Sequence, residues 1–428
     1  MRIGIVGGGI SGLVAAYCLS RRHQIVLFEA NSYLGGHAHT VDVTTGGISQ
    51  PVDLGFMVFN RHTYPGFVRL LDQLQVPAVE TSMSFSVRDD ASGWEYNGGS
   101  LSTLFAQRWQ FFNPRFYMFL LGMWRFHRSA GAARAAADNQ LSLAEFLERR
   151  QIPQDVRERY VLPMGAAIWS CPANAFAQFP LKFLLDFYEN HGLLQLRNRP
   201  RWLVIPGGSR RYVTALSRSF AENVRTNSPV IAVKRQAQQL QVLSASGAVA
   251  SFDHVVLACH SDQALKLLGE QATIVERELL SSFPYQTNQA ILHTDTKVLP
   301  RATRAWASWN YRRLSQVEDT APVSVTYDVT RLQHLIQPPR LLVTLNTFSD
   351  VSSAQILSRW EWQHPTFYRG CVEAQRQHQR LINHQGISYC GAYWRHGFHE
   401  DGLQSALHVV RQLDPDCIPD FLRRTMAA

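Results

Sequence analysis

Arg2-Ile3-Gly4-Ile5-Val6 runs straight into Gly7-Gly8-Gly9-Ile10-Ser11-Gly12, and the reading of this stretch decides the fold. Its first part makes a short apolar strand. Leu13 to Leu19 continues at helical spacing, and a second apolar run, Ile25 to Phe28, ends in Glu29-Ala30. Strand, glycine turn, helix, strand and acid come in the order that a dinucleotide site needs. Gly7 permits a tight turn, Gly9 lets a pyrophosphate approach the backbone, and Gly12 lets helix and strand pack closely. Ile10 and Ser11 open a helix whose free N–H groups and positive dipole end face the phosphates. Glu29, 17 residues after Gly12, is placed to accept hydrogen bonds from an adenosine ribose. The acid alone does not separate NAD from FAD.

Behind Glu29 lies the loop Leu34-Gly35-Gly36-His37. Paired glycines this close to a ribose-binding acid let the backbone pass beside the rest of a long cofactor, as an extended FAD requires. Val52 to Asn60 reads as a strand leading into a loop, with Gly55, next to Phe56, permitting another close approach.

Chain length, 428 residues, suits two domains and a sizeable core. The formal charge is +9, and of 42 basic residues only Lys182, Lys234, Lys266 and Lys297 are lysine. Arginine grips phosphates in a bidentate manner and lies flat on rings, so an anionic or membrane-surface partner and a plain solvated surface both fit this excess. Nothing points to nucleic acid. Six scattered cysteines without a CxxC indicate a reducing compartment and no structural zinc. His37 and His39 lack the carboxylate or cysteine neighbour that a metal would want. A first strand at residue 2 leaves no room for a signal peptide, and no apolar run reaches the roughly 18 residues of a membrane span. The expected location is cytoplasmic, with peripheral contact at the inner membrane face left open.

The first sixty residues resemble the FAD-dependent amine oxidase, phytoene desaturase and protoporphyrinogen oxidase superfamily. Val204-Ile205-Pro206-Gly207-Gly208-Ser209 resembles its second Gly-Gly element, with Ser209 expected to cap the helix that carries Tyr212, Leu216 and Phe220. Thr226 to Val230 is similar to the strand whose valine, here Val230, meets the adenine. Cys390-Gly391 and Gly397-Phe398-His399-Glu400-Asp401-Gly402-Leu403 resemble the closing motif. There the resemblance implies a helix N-terminus whose N–H groups at Gly402 and Leu403 stabilise reduced flavin. Leu162 to Ser170, Asn190 to Leu194 and Trp306 to Tyr311 resemble, more narrowly, bacterial NAD/FAD-binding oxidoreductases associated with cyclopropane-fatty-acid-synthase-like methyltransferases. That implies a methyltransferase partner and acyl chains of membrane lipids as substrate.

The expected fold is α/β: a Rossmann-like FAD-binding domain from residues 1–60, 200–265 and 385–428, and an α+β substrate domain from 61–199 and 266–384. Val323 to Val329 and Leu341 to Asn346 alternate like strands of an antiparallel sheet, and helical stretches at 141–150 and 181–188 would cover it.

Oxidation by a flavin asks the protein mainly to place a C–H bond and to tune charge around the ring. His37, His399, Asn60, Trp169 and Trp394 are the candidates for the flavin rim. Of these, His399, Trp169 and Asn60 are the candidates for catalysis, His399 either as a proton donor or as a structural histidine. His37 stands where amine oxidases carry an arginine. Those enzymes also carry a lysine that positions water at the flavin, on a strand that should correspond to Gln286 to Thr294, yet no lysine occurs from 267 to 296. The segment 105–128 interleaves aromatic rings with Arg108, Arg115, Arg125 and Arg128. It reads equally as an interfacial helix or as a core helix of the substrate domain.

The resulting expectation is a flavoprotein with noncovalent FAD that transfers a hydride between an apolar substrate, such as a phospholipid acyl chain, and the flavin. Cys371 and Cys390 are the positions where a covalent link is conceivable. An amine oxidase, and a non-catalytic flavin protein that presents lipid to a methyltransferase, are the alternatives.

Overall fold

Arg2–Val6 is the middle strand of a five-stranded parallel sheet, in a computed structural model that describes all residues except 135–139, 196–199, 237–238, 315–320, 337, 347–348 and 426–428. Gln24–Phe28 and His254–Leu257 flank it, and Val224–Arg225 and Ile387–Tyr389 form the edges. Ile3, Ile5, Leu27 and Val256 are fully enclosed, as parallel strands covered on both faces must be. Helices Ile10–Leu19 and His399–Leu413 lie against each other over this sheet, and Ser11 Oγ donates to Gly402 O at 2.9 Å. A Cβ on Gly402 would stand 2.8 Å from Ile10 Cγ2, so glycine sets the crossing distance. Gly12 is tighter still: its Cβ would fall 1.9 Å from Gly7 O, which only glycine avoids. Helix Pro65–Gln73, from the stretch assigned by sequence to the substrate domain, buries Phe67, Leu70 and Leu71 in the same core as Leu13, Tyr212 and Leu403.

The second layer is a seven-stranded sheet in the order Ile356–Pro365, Tyr285–His293, Leu342–Leu345, Val325–Asp328, Trp309–Arg313, Phe85–Asp89, Trp94–Asn97. It is mixed: Val325–Asp328 and Leu342–Leu345, the strands that alternation marks, pair antiparallel as expected, and a parallel pair stands elsewhere in the sheet. Trp309–Arg313 runs parallel to Phe85–Asp89, because these strands meet through a long crossover and not through a hairpin. Helices Leu143–Arg149 and Leu181–Asn190 fall where periodicity places them. Pro114–Arg134 forms a 21-residue helix beside them. No helix among the described residues is long and apolar enough to cross a membrane.

Candidate functional site

The segments that follow the carboxyl ends of the parallel strands open into a cavity of about 1260 Å³ whose far wall comes from the seven-stranded sheet and the helices beside it. Ligands of open α/β sheets bind outside those strand ends. Val6 to Ser11, Phe28 to Asn31, Ala258 to His260 and Gly391 supply the near wall.

Geometry there is set by close backbone approach. Gly35 N donates to Gly8 O at 2.8 Å, and Phe56 N to His37 O at 2.7 Å. A Cβ on Gly55 would lie 2.3 Å from His37 O, and Gly36 adopts a φ of +58° with its Cβ position 3.2 Å from Gly9 Cα. Gly9 differs: a Cβ there would meet nothing within 4 Å, so its open side faces space that a phosphate can use. Among the described residues no side chain caps helix Ile10–Leu19, which leaves its first amide groups for an anion. Glu29 accepts from Gly8 N at 2.7 Å and from Asn31 N at 2.8 Å, which fixes the carboxylate at the cavity wall. Ala30, Ser228 and Val230 line the same end.

Further in, His37 Nε2, His260 Nδ1, Trp362 Nε1 and Tyr393 Oη are buried polar atoms on the wall with no partner among the described residues, and Trp309 Nε1 is a further one. Buried polar groups are ordinarily satisfied, so this wall suits a flat, polar-edged ring system. Together with the uncapped helix and the Gly9 cradle, these residues fit FAD.

Beyond them the wall turns apolar, with Met83, Phe85, Leu104, Leu120, Met123 and Ile168. Aromatic side chains continue it: Trp169 and Phe398 have ring centroids 6.0 Å apart, Phe187 and Phe398 4.9 Å. Three segments distant in sequence converge here, contributing Met164 to Ser170 in part, His191 with Leu193, and Trp309.

The structure separates the sequence-predicted residues into two groups. Gly7, Gly9, Ile10, Ser11, Glu29, Ala30, Gly35, Gly36, His37, Gly55, Phe56, Val230, Gly391, Trp169 and His399 line the cavity. Gly12, Gly208, Glu400, Asp401, Gly402, Leu403, Asn60 and Trp394 lie behind its wall. Asn60 belongs to a turn, where Oδ1 accepts from His62 N and Thr63 N and so orders the entry to helix Pro65–Gln73. Trp394 stacks on His378 with centroids 4.1 Å apart. Gly402 N is bonded to Phe398 O at 3.1 Å, because the helix begins three residues earlier than the motif implies. Its unbonded amides are therefore those of the first turn, and Leu403 is enclosed. Glu400 accepts from Gly66 N and Phe67 N at 3.0 and 2.9 Å, capping a neighbouring helix. Asp401 accepts from Phe398 N at 2.9 Å, and burial pushes its carboxyl up to about 6.

His399 stacks on Phe56, centroids 3.8 Å apart and planes within 9°, while Nε2 lies 2.6 Å from Tyr212 Oη. Burial pulls it down to about 3, so near neutral pH it is an uncharged imidazole held by a tyrosine and not an imidazolium donor. Trp169 Nε1 donates to His396 O at 3.0 Å, so its ring presents only an apolar face. Ser209 occupies the start of helix Arg210–Ser217 but does not cap it. Its amide and hydroxyl both donate to buried Asp53, at 2.9 and 2.7 Å, and Arg210 N donates to Thr40 Oγ1 at 3.0 Å. Gly208 lets this turn approach Thr40: its Cβ would be 2.4 Å from Thr40 Cγ2. Cys371 and Cys390 are free and away from the cavity wall.

Sequence reasoning passed over the polar wall of His260, Trp362 and His364. His37 lies 4.8 Å from Trp362 and 5.4 Å from His364, centroid to centroid, and His260 stacks on Tyr285 at 4.5 Å. Burial, then the neighbouring imidazoles, hold His37 well below its ordinary range, and burial pulls His364 down to about 4. The available signal was alternation: Trp360, Trp362 and His364 share one face of a single strand. No lysine stands on the neighbouring strand Tyr285–His293, where buried Asn288 donates to Ser170 O at 2.9 Å and lies 3.0 Å from His364 Nδ1.

Across residues 10–414 the chain matches the family described as flavin containing amine oxidoreductase. A 1-hydroxycarotenoid 3,4-desaturase of Flavobacterium sp. is 34% identical over 97 residues, 22% of this chain and 18% of that enzyme. The chain thus matches less than a fifth of the length of its curated relatives, at 9% and 18%. Among solved structures, a fatty acid isomerase from P. acnes that produces CLA superposes with a TM-score of 0.69 at 14% identity, over 96% of this chain and 98% of that one. Putrescine oxidase bound to putrescine gives 0.69 at 14% identity, over 96% and 99%. At such identities these likenesses establish the fold.

Proposed function

We propose, from the premise that this chain belongs to the flavin-containing amine oxidoreductase family and is an FAD-dependent oxidoreductase, that it oxidises C–H bonds of an apolar chain, best matched by a membrane-lipid acyl group. When bound, FAD would supply the two-electron acceptor, with dioxygen or another oxidant closing the cycle. Two hydrogens leave neighbouring carbons, one as hydride and one as a proton released to water, and a double bond remains.

The observation that carries this reading is the apolar inner wall. Among the described residues, the cavity's acids are Glu29, at the nucleotide end, and the exposed Glu361. An alkylammonium ion would leave water for a wall with no carboxylate to receive it, at a cost of several kcal/mol. An acyl chain instead gains about 0.8 kcal/mol for each methylene buried. Met83, Leu120, Met123 and Ile168 provide that contact, and the ring of Trp169, its N–H turned to His396, closes the wall without presenting a donor. The carotenoid desaturase and the fatty acid isomerase act on apolar chains by their names, and the putrescine oxidase on an amine.

An anaerobic titration of the oxidised holoprotein tests the reading. Flavin absorbance should bleach with phospholipid and stay constant with amines or polyamines. Bleaching by amine alone overturns the acyl assignment, and no bleaching by either series points to a lipid-presenting role without turnover.

A further inference from the structure

Residues 101–128 form an outer surface that solvent alone explains poorly. Phe112 is 89% exposed, Leu101 76% and Met118 66%, and Trp109, Leu121 and Trp124 are each about half exposed. Soluble surfaces seldom gather large apolar side chains in one patch without a partner. Helix Pro114–Arg134 has two faces: Phe116, Phe119, Phe126 and Ala130 are enclosed by the protein, while Tyr117, Leu121, Trp124 and Arg128 form a stripe at helical spacing on the outer side.

Charge identifies the partner. Between Glu95 and Asp138 the sequence contains no acid, whereas Arg108, Arg115, Arg125, Arg128 and Arg134 all fall within it. Among the described residues, only Arg134 of these five has a carboxylate partner, Asp186. Arg128 lies over the ring of Trp124, 5.4 Å from its centroid. Exposed rings and aliphatic side chains edged by uncompensated arginines match the boundary of an anionic bilayer, where apolar groups enter the acyl layer and guanidinium groups stay with the phosphates.

The same helix also walls the cavity, through Leu120, Met123, Trp124 and His127, and Trp124 contributes to both surfaces. We infer that the 101–128 surface docks on an anionic phospholipid bilayer, and that an acyl chain passes beside Trp124 from the bilayer into the cavity without crossing water. Docking stands on the surface alone. Delivery rests on the acyl-substrate reading given above.

Flotation of the FAD-loaded full chain with phosphatidylglycerol/phosphatidylcholine vesicles, against phosphatidylcholine alone, tests docking without turnover. The protein should float with the anionic vesicles at low salt and be released at high salt. Arg115→Gln/Arg125→Gln/Arg128→Gln should weaken partitioning by about tenfold or more, since each basic group near such a surface contributes on the order of 1 kcal/mol. Phe112→Ser/Met118→Ser should weaken it as well, with flavin content and Tm unchanged because both side chains are exposed and off the cavity wall. Absence of flotation at low salt overturns docking, as does equal flotation of both variants. A dimer in light scattering that disappears in Phe112→Ser/Met118→Ser, without vesicle binding, assigns the patch to a second copy of the chain. Delivery is then read by flavin bleaching. The two variants should slow it for bilayer phospholipid and leave it unchanged for monomeric short-chain lipid. Equal rates on both substrates overturn delivery, and no bleaching of the wild type by either lipid refutes the acyl reading while leaving the flotation result standing.

Discussion

Glu29 Oε2 accepts the Gly8 amide at 2.7 Å, tying the acid that ends the second strand to the glycine turn that ends the first. Glu29→Ala removes a charge-assisted bond of about 1.5–3 kcal/mol together with the ribose acceptor. FAD should dissociate about tenfold to a hundredfold more readily. Flavin absorbance after gel filtration reads the loss, and retention at the wild-type level would remove this carboxylate from the site.

Gly9 and Gly12 should fail in different ways. A methyl at Gly12 meets Gly7 O at 1.9 Å, so Gly12→Ala should lower stability by about 1–3 kcal/mol whether or not flavin is bound. A methyl at Gly9 meets no protein atom within 4 Å, so Gly9→Ala should leave the apoprotein Tm unchanged and weaken FAD binding. Calorimetry of both forms separates the cases, and equal apoprotein losses would contradict the assignment.

Asp53 accepts from Ser209 N, Ser209 Oγ and Thr40 Oγ1, joining hairpin 40–53 to the second Gly-Gly turn. Burial raises its carboxyl, and those hydrogen bonds oppose the rise. Asp53→Ala leaves several buried donors unpaired and should cost about 1–3 kcal/mol for each one that finds no water. Denaturant unfolding measures it; a midpoint equal to wild type would show that the junction relaxes without loss.

Acid should destabilise the protein below about pH 6.5, the ordinary imidazole value. Burial holds His399 at about 3 and His364 and His191 at about 4 in the folded chain. Between those values and 6.5 the unfolded chain binds more protons, so stability is complete above 6.5 and falls as pH drops. Asp401 acts in the opposite sense: raised to about 6 from 3.8, it favours the folded state as pH falls through that interval. The histidines held low by burial, which also include His254, His293, His378 and His396, outnumber the acids held high, Asp401, Asp53 and Glu400, and His399→Gln should reduce the loss seen in unfolding midpoints between pH 6.5 and 4. An unaltered slope would place the responsible groups elsewhere.

Legibility in the sequence followed backbone constraint. Gly7, Gly9, Gly12 and Glu29 are readable because a tight turn, an open cradle, a close helix and an acid each demand one residue type at one spacing. Asn60, Glu400 and Asp401 misled for the converse reason: a polar side chain close to a motif in sequence is as ready to satisfy a neighbouring amide as to face a ligand. Tyr212 and His399 are 187 residues apart, and no local pattern predicts their bond. His260, Trp362 and His364 carry only a two-residue alternation, which marks a strand face without saying what it faces.

The five-stranded sheet also sets a timetable. Of its five strands the middle one is made first, and Ile387–Tyr389 is made last. A nascent chain halted at residue 385 already carries the glycine turn and Glu29, but it lacks that strand and the helix whose Gly402 locks over Ser11. Long-range pairing of this kind delays folding until the distant partner exists. Flavin therefore has no completed site to enter until residues 387–413 have been made, and the hydrophobic flanks of the early strands must be shielded until those residues arrive to cover them.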